Sequence, residues 1–291
     1  MQKIQVTEKT ALKLAVRAYD DYQRMRLAMG NRIKIKKDGS DQVVPEAQQE
    51  GWAMTERDKD VFGAVYQNAL NQEKVIEKHI KQQLKSFSIW TEYLSGVKGI
   101  GPMAAARIIS EYDIEKATTV SKLWQFTGLN PGLVRGQKIV DLKKAMAENH
   151  KIVKTFESKK GEKKAVILTE NMIRGDKLTE GFLAPFNKNL RTKIVGVVAD
   201  GFIKSQNAYC MNYYYPYKER LAHEESTIDG ADKAWKDVSL GHRDRAAKRY
   251  MMKMFLKDLY VAWRTLAGLP VREPYQEQYL GHVHEPKMAA M

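Results

Sequence analysis

One cysteine, Cys210, occurs in 291 residues. A lone thiol excludes an internal disulfide framework and any zinc site built from clustered cysteines. Long apolar runs are also lacking. None approaches the roughly 18 residues that a membrane-spanning helix needs, so no membrane partner is expected. The first residues, MQKIQVTEKTALKLAV, have no apolar stretch followed by the small-residue cleavage site of a secretory signal. No repeat stands out at a period of about 20–50 residues. Negative charge is in deficit, with 35 Asp+Glu against 49 Lys+Arg and a formal net charge of +14. The expectation is an intracellular, cytoplasmic protein associated with an acidic partner, of which nucleic acid is the commonest. Hydrophobic residues make up 43% of the chain, enough for a core and against wholesale disorder.

What is present reads as mainly α, with one or two short β-hairpins. Leu12, Leu14, Ala15, Ala18, Tyr19, Tyr22 and Met25 keep a 3.6-residue period, which predicts a helix over 7–29 with Thr10 as its cap and Gly30-Asn31 as its end. A polar loop follows, with a small hairpin expected at Asp38-Gly39. Thr55-Glu56-Arg57-Asp58 resembles a capping box. It opens a long helix over 56–87, with Val61, Val65, Ala69, Gln72, Val75, Ile76, Ile80 and Leu84 on its expected apolar face. This arm helix is a candidate homodimer contact. Residues 151–164 place six lysines around Ser158 and Gly161 between two β-rich flanks, which predicts a two-stranded hairpin with a basic tip. Further helices are expected over 187–204, 207–225 and 242–267, before an extended tail over 269–291. The domain reading is a helical region over 1–90, then a domain over 91–268 with a basic insertion near 137–181.

Residues 94–109, LSGVKGIGPMAAARII, fit a helix-hairpin-helix. Gly99 and Gly101 would let the chain turn at positive φ and bring backbone close to a partner. Ile100 would plug the gap between the helices, and Pro102 suits the first helical turn. The free N–H groups at that helix start can hold a DNA phosphate without reading sequence. The helix starting at His242 carries Arg243, Arg245, Lys248, Arg249, Lys253, Lys257 and Arg264 against Asp244 and Asp258. Arg245, Arg249 and Lys253 would share one face.

The order of motifs adds to this. Gly99-Ile100-Gly101-Pro102 is followed by Glu111-Tyr112-Asp113, then Gly128-Leu129-Asn130-Pro131, then Asn187-Lys188-Asn189-Leu190-Arg191, then the His242 helix. Together these resemble the C-terminal helix-hairpin-helix domain of the bridge-RNA-guided (DEDD) insertion-sequence transposases, over about residues 72–267 with an expanded middle. The resemblance implies DNA binding and strand transfer in DNA transposition or recombination. The expected DNA-contacting residues are Lys98, Gly99, Ile100, Gly101, Arg107, Lys188, Arg191, Lys193, Arg243, Arg245, Lys248, Arg249 and Lys253.

Two departures from that family bear on catalysis. Its RuvC-like domain holds four acidic metal ligands, whereas residues 1–90 here read as helices and a loop without an acidic tetrad. Its serine nucleophile lies in a Ser-Gly element where this chain has Arg174-Gly175. Ser158 and Thr179 are the remaining hydroxyl candidates, each set against a plain turn role. Glu111, Asp113 and Glu115 are near in sequence, and His282 and His284 lie two apart; either group would hold a metal only if further ligands converged on it from other elements. His79 and His150 read as surface residues. No cofactor is identified, and Mg²⁺ is expected only if the chain is catalytic. Tyr213-Tyr214-Tyr215-Pro216-Tyr217 reads as packing rather than base stacking.

The expected partner is DNA, duplex or branched. The alternative is a non-catalytic DNA- or RNA-binding scaffold of a mobile element or phage, with structured RNA as its second partner. A nuclease with an unrecognised metal site is a third class. Residues 1–90 carry +4 and residues 91–291 carry +10, so most of the excess falls with the hairpin, the lysine-rich loop and the His242 helix.

Overall fold

A computed structural model describes residues 7–33, 55–228 and 233–272. The expected hairpin at Asp38-Gly39, most of the tail, His282 and His284 lie outside the described residues. The chain is mainly helical with a small three-stranded antiparallel sheet. Among the described residues no helix is long and apolar enough to cross a membrane. Two compact units are formed. One comprises Met1–Ser95 with Gly101–Glu111, the other Gly96–Ile100 with Tyr112–Met291. The Gly-Ile-Gly-Pro stretch is thus divided between them.

The first unit is built from α1 (Glu8–Ile33), α2 (Glu56–Gln83), α3 (Ser88–Glu92) and α4 (Pro102–Glu111). Thr7, not Thr10, caps α1, its hydroxyl accepting from the Thr10 N–H at 3.2 Å. The helix then runs through Gly30, which is buried within it, rather than ending there. The capping box at α2 is present: Thr55 accepts from Asp58 N–H, and the Asp58 carboxylate accepts from Thr55 N–H. The expected apolar face of α2 is corrected. Val61, Val65 and Val75 are exposed, while Tyr66, Ala69, Leu70, Glu73, Ile80 and Leu84 are buried. The reason is Arg26 of α1, whose buried guanidinium meets buried Glu73 at 2.5 Å. A polar pair therefore occupies the packed face, and three valines are left outside it.

In the second unit, β1 (Leu133–Asp141), β2 (Ile152–Glu157) and β3 (Lys163–Arg174) form the sheet, in the order β1-β3-β2, and α6 (Leu142–Ala147) lies between β1 and β2 in the chain. The lysine-rich hairpin is β2–β3, with Glu157 opposite Lys163. Strand β1 was not expected from the sequence. Its register against β3 shifts between Arg135 and Gln137, which breaks the two-residue alternation by which strands are read. Ala145 of α6 covers Ala165 and Ile167.

The remaining helices gather on α10 (Leu240–Leu266), whose Met251, Met252, Phe255, Leu256, Leu259 and Tyr260 are buried. Ser239 caps it, accepting from the His242 N–H. Residues 188–204 form one helix: α7 (Lys188–Thr192), a π-helical segment Lys193–Val198, and α8 (Ala199–Lys204). A second π-helical segment, Cys210–Tyr214, leads into α9 (Tyr215–His223). The tyrosine cluster packs. Tyr214 is buried, and Tyr213 and Tyr217 meet Tyr250, the latter stacked at 4.4 Å. Helix α5 (Val120–Thr127) also packs on α10, with Trp124 Nε1 donating to the Lys253 carbonyl at 3.0 Å.

Candidate nucleic-acid interface

Gly99 has φ +93°, the left-handed region that favours glycine. A Cβ there would lie 2.8 Å from the Gly201 carbonyl oxygen and 2.6 Å from Ser205 Oγ. The adjoining Lys98 carbonyl accepts from the buried Asn207 side chain at 2.5 Å. The close approach expected toward a nucleic-acid partner is therefore taken up inside the chain, where the turn is fastened to residues 201–207. Gly101 is corrected too. Its φ is not positive, and a Cβ on it would meet nothing within 4 Å. Ile100 is buried, and the Lys98 side chain is exposed.

Arg107 is engaged inside the first unit. Its guanidinium donates to Asp20 at 2.6 Å and lies 5.7 Å from the centre of the Tyr19 ring, within the first unit. Lys248 is also engaged, between Asp200 at 2.9 Å and Asp244 at 3.1 Å. Lys257 and Arg264 are buried, and Arg264 donates to the carbonyls of Ile114, Ala117 and Pro270. Arg243 donates to the Lys236 carbonyl at 2.8 Å. Lys188 is exposed, and Lys193 is half-buried within the π-helical segment. Periodicity counts charges along a helix but does not show which neighbour has already answered them.

The residues that do converge are Arg191, Arg245, Arg249 and Lys253, from α7 and α10. They are joined by residues of the turn after β3 that the sequence pattern does not single out. Arg191 donates to the Asp176 carbonyl at 2.5 Å and lies 4.8 Å over the Phe186 ring. Lys253 Nζ sits 4.6 Å over Trp124. The Asp176 carboxylate is forked by Arg174, at 2.9 and 3.1 Å. Phe186 is held in turn by Gly128, at φ +73°, where a Cβ would fall 2.6 Å from the ring.

The electrostatics follow from this crowding. Burial holds Arg249 below its ordinary pKa, and the charge of Arg191, and more weakly Arg245, pushes the same way against Asp176. Burial likewise lowers Arg191 and Lys253, with Asp176 opposing in both. His242 is lowered by burial, then by Arg249, Arg245 and Lys177. Arg249 makes no hydrogen bond or ion pair among the described residues. These are partly desolvated cations facing an acid that Arg174 already holds. An anion with several acceptor oxygens would answer them.

The hydroxyl and carboxylate candidates do not gather. Ser158 Oγ accepts from the Lys160 and Glu162 N–H groups, closing the hairpin turn. Thr179 is exposed. Glu111 pairs with Lys13, and Asp113 with Lys116. Among the described residues no three His, Cys, Asp or Glu side chains are placed to hold a metal ion. His79 and His150 are exposed.

No family model, curated protein or solved structure matches the chain.

Proposed function

We propose that the chain binds DNA through its backbone phosphates, in transposition or recombination, as its resemblance to the DEDD insertion-sequence transposases implies. The observation that carries this is the set of Arg191, Arg245, Arg249 and Lys253, crowded together with too little opposing charge. A phosphodiester supplies that charge and accepts guanidinium N–H groups in a fork. Such binding is sequence-independent and weakens steeply with salt. α3, the Gly99 turn and α4 follow one another in the order of a helix-hairpin-helix. Lys98 and Lys188, both exposed, are further phosphate contacts in this reading.

The role we favour is engagement of DNA without cleavage by this chain alone. Ser158, the serine considered as a nucleophile, is used as a turn former. Structured RNA is the second partner class.

The test is the affinity for duplexes of about 30 base pairs of unrelated sequence, measured across a salt series. Arg249→Gln should weaken every duplex about tenfold or more, from the ~1.5–3 kcal/mol of one charged hydrogen bond. Equal affinity of wild type and variant at all salt concentrations would remove the proposed site. Tighter binding to structured RNA than to any duplex would favour the second class.

A further inference from the structure

The β2–β3 hairpin gathers exposed lysines in one short segment. Residues 151–164 hold six lysines and two glutamates. Lys164 pairs with Glu162 at 2.9 Å. Lys151, Lys154, Lys159, Lys160 and Lys163 are exposed and make no ion pair among the described residues. Several lysines elsewhere are held, Lys13 by Glu111, Lys81 by Glu77, and Lys218 and Lys248 by Asp244, whereas five of the hairpin's six are not, among the described residues. All six residues of β2 are exposed, on both faces of the strand. Val153 and Phe156 stand in the open among the lysines.

Protection of a sheet edge accounts for part of this. A charged side chain on an edge strand discourages pairing with another chain, and Lys154 does that for β2. It does not account for Lys159, Lys160 and Lys163 clustered at and beside the turn, nor for an edge that leaves Phe156 uncovered.

We propose that the β2–β3 hairpin is a second contact surface for duplex DNA, its lysines reaching phosphates across a groove. The choice of duplex DNA rests on the function proposed above. Shape supports it, since two strands about 4.8 Å apart fit a major groove about 12 Å wide. The major groove of A-form RNA is too narrow for a ribbon.

Combined Lys154→Gln, Lys159→Gln and Lys160→Gln substitutions test this, since none of the three is buried or paired. On a 30-base-pair DNA duplex the variant should bind about 10- to 100-fold more weakly at moderate salt. Its salt slope should fall by up to about three, roughly one for each phosphate that the variant leaves unneutralised. DNA should also shield Lys159 and Lys160 of the wild type from trypsin. An unchanged slope with unprotected lysines, where Arg249→Gln still weakens binding, would overturn the hairpin proposal and leave the α7–α10 site standing. A wild type that binds no duplex DNA would overturn both. An RNA duplex bound more tightly than DNA, with the same weakening in the variant, would overturn the choice of DNA.

Discussion

Gly99 and Gly201 meet backbone to backbone: a Cβ on either would stand 2.8 or 2.7 Å from the other's carbonyl oxygen. Contact this close leaves room for hydrogen alone. Gly99→Ala adds backbone strain at φ +93°, for a combined loss of about 2–4 kcal/mol. Gly201→Ala should also lower the melting temperature, although alanine favours a helix by about 1 kcal/mol. Gly101→Ala, with open space and ordinary φ, should leave it unchanged. Thermal unfolding of the three variants checks this, and equal effects at Gly99 and Gly101 would contradict the assignment.

Variants at Arg107 and Arg249 should separate structure from the proposed binding. Arg107→Gln breaks the pair with Asp20 and should cost about 1–3 kcal/mol of stability, with the salt slope of DNA binding intact. Arg249→Gln should do the reverse. The site would even relax slightly, because Arg249 crowds Arg191. Urea unfolding measured beside the binding series distinguishes them.

On the proposed binding mode, His242 should couple binding to pH. In the free protein its pKa lies below the ordinary 6.5, through burial and then the charges of Arg249 and Arg245 on α10 and Lys177 in the turn after β3. Trp235, 5.6 Å away, adds no charge. A base with a lowered folded pKa costs stability as pH falls, because below about 6.5 the unfolded chain takes up the proton first. A phosphate bound as proposed would offset the neighbouring cations and restore the proton to the folded state. DNA affinity should therefore rise as pH falls from about 7.5 to about 5.5, and His242→Gln should flatten that rise.

Asp244 should govern acid stability. It accepts from the Tyr214 hydroxyl and meets Lys248 at 3.1 Å and Lys218 at 3.5 Å. Burial pushes its pKa up, but these hydrogen bonds and charges prevail and set it below the ordinary 3.8. Its contribution is present above about 3.8 and is lost as pH falls through the lower folded value. Asp244→Asn should reduce stability at neutral pH by about 1–3 kcal/mol and shrink the acid-induced fall in melting temperature.

The buried Arg26–Glu73 pair should show strong non-additivity. Arg26→Met alone leaves a buried carboxylate without its cation and should cost about 3–5 kcal/mol. The double variant with Glu73→Met should recover much of that, because desolvating two charges is itself expensive. A double-mutant cycle by chemical denaturation gives the coupling.

Much of the helical framework was legible because its signals are local. The Thr55 capping box and the helical stretches over 187–204 and 242–267 are each marked within one stretch of sequence. The lysine hairpin was legible for the same reason. The face of α2 was not, because valine marks an apolar position whether or not a partner arrives, and Arg26 gave no sign of being a core residue. Half of the candidate site was visible, in Arg191, Arg245, Arg249 and Lys253. The rest, Arg174 at the end of β3 with Asp176 and Lys177 in the turn after it, looks like ordinary surface charge until the fold brings it beside α10.

The π-helical segment at Lys193–Val198 also sets a phase. Each residue of an α-helix advances the azimuth by about 100°, and a π turn carries one residue more than the α turn it replaces. Deleting a single residue there would let the segment relax to α and would turn everything downstream by about a quarter of a revolution against everything upstream. Arg191, before it, faces the cation cluster, and Phe202, after it, faces the core. A one-residue deletion would set those two directions against each other, so the segment is a point of intolerance to length change within an otherwise regular helix.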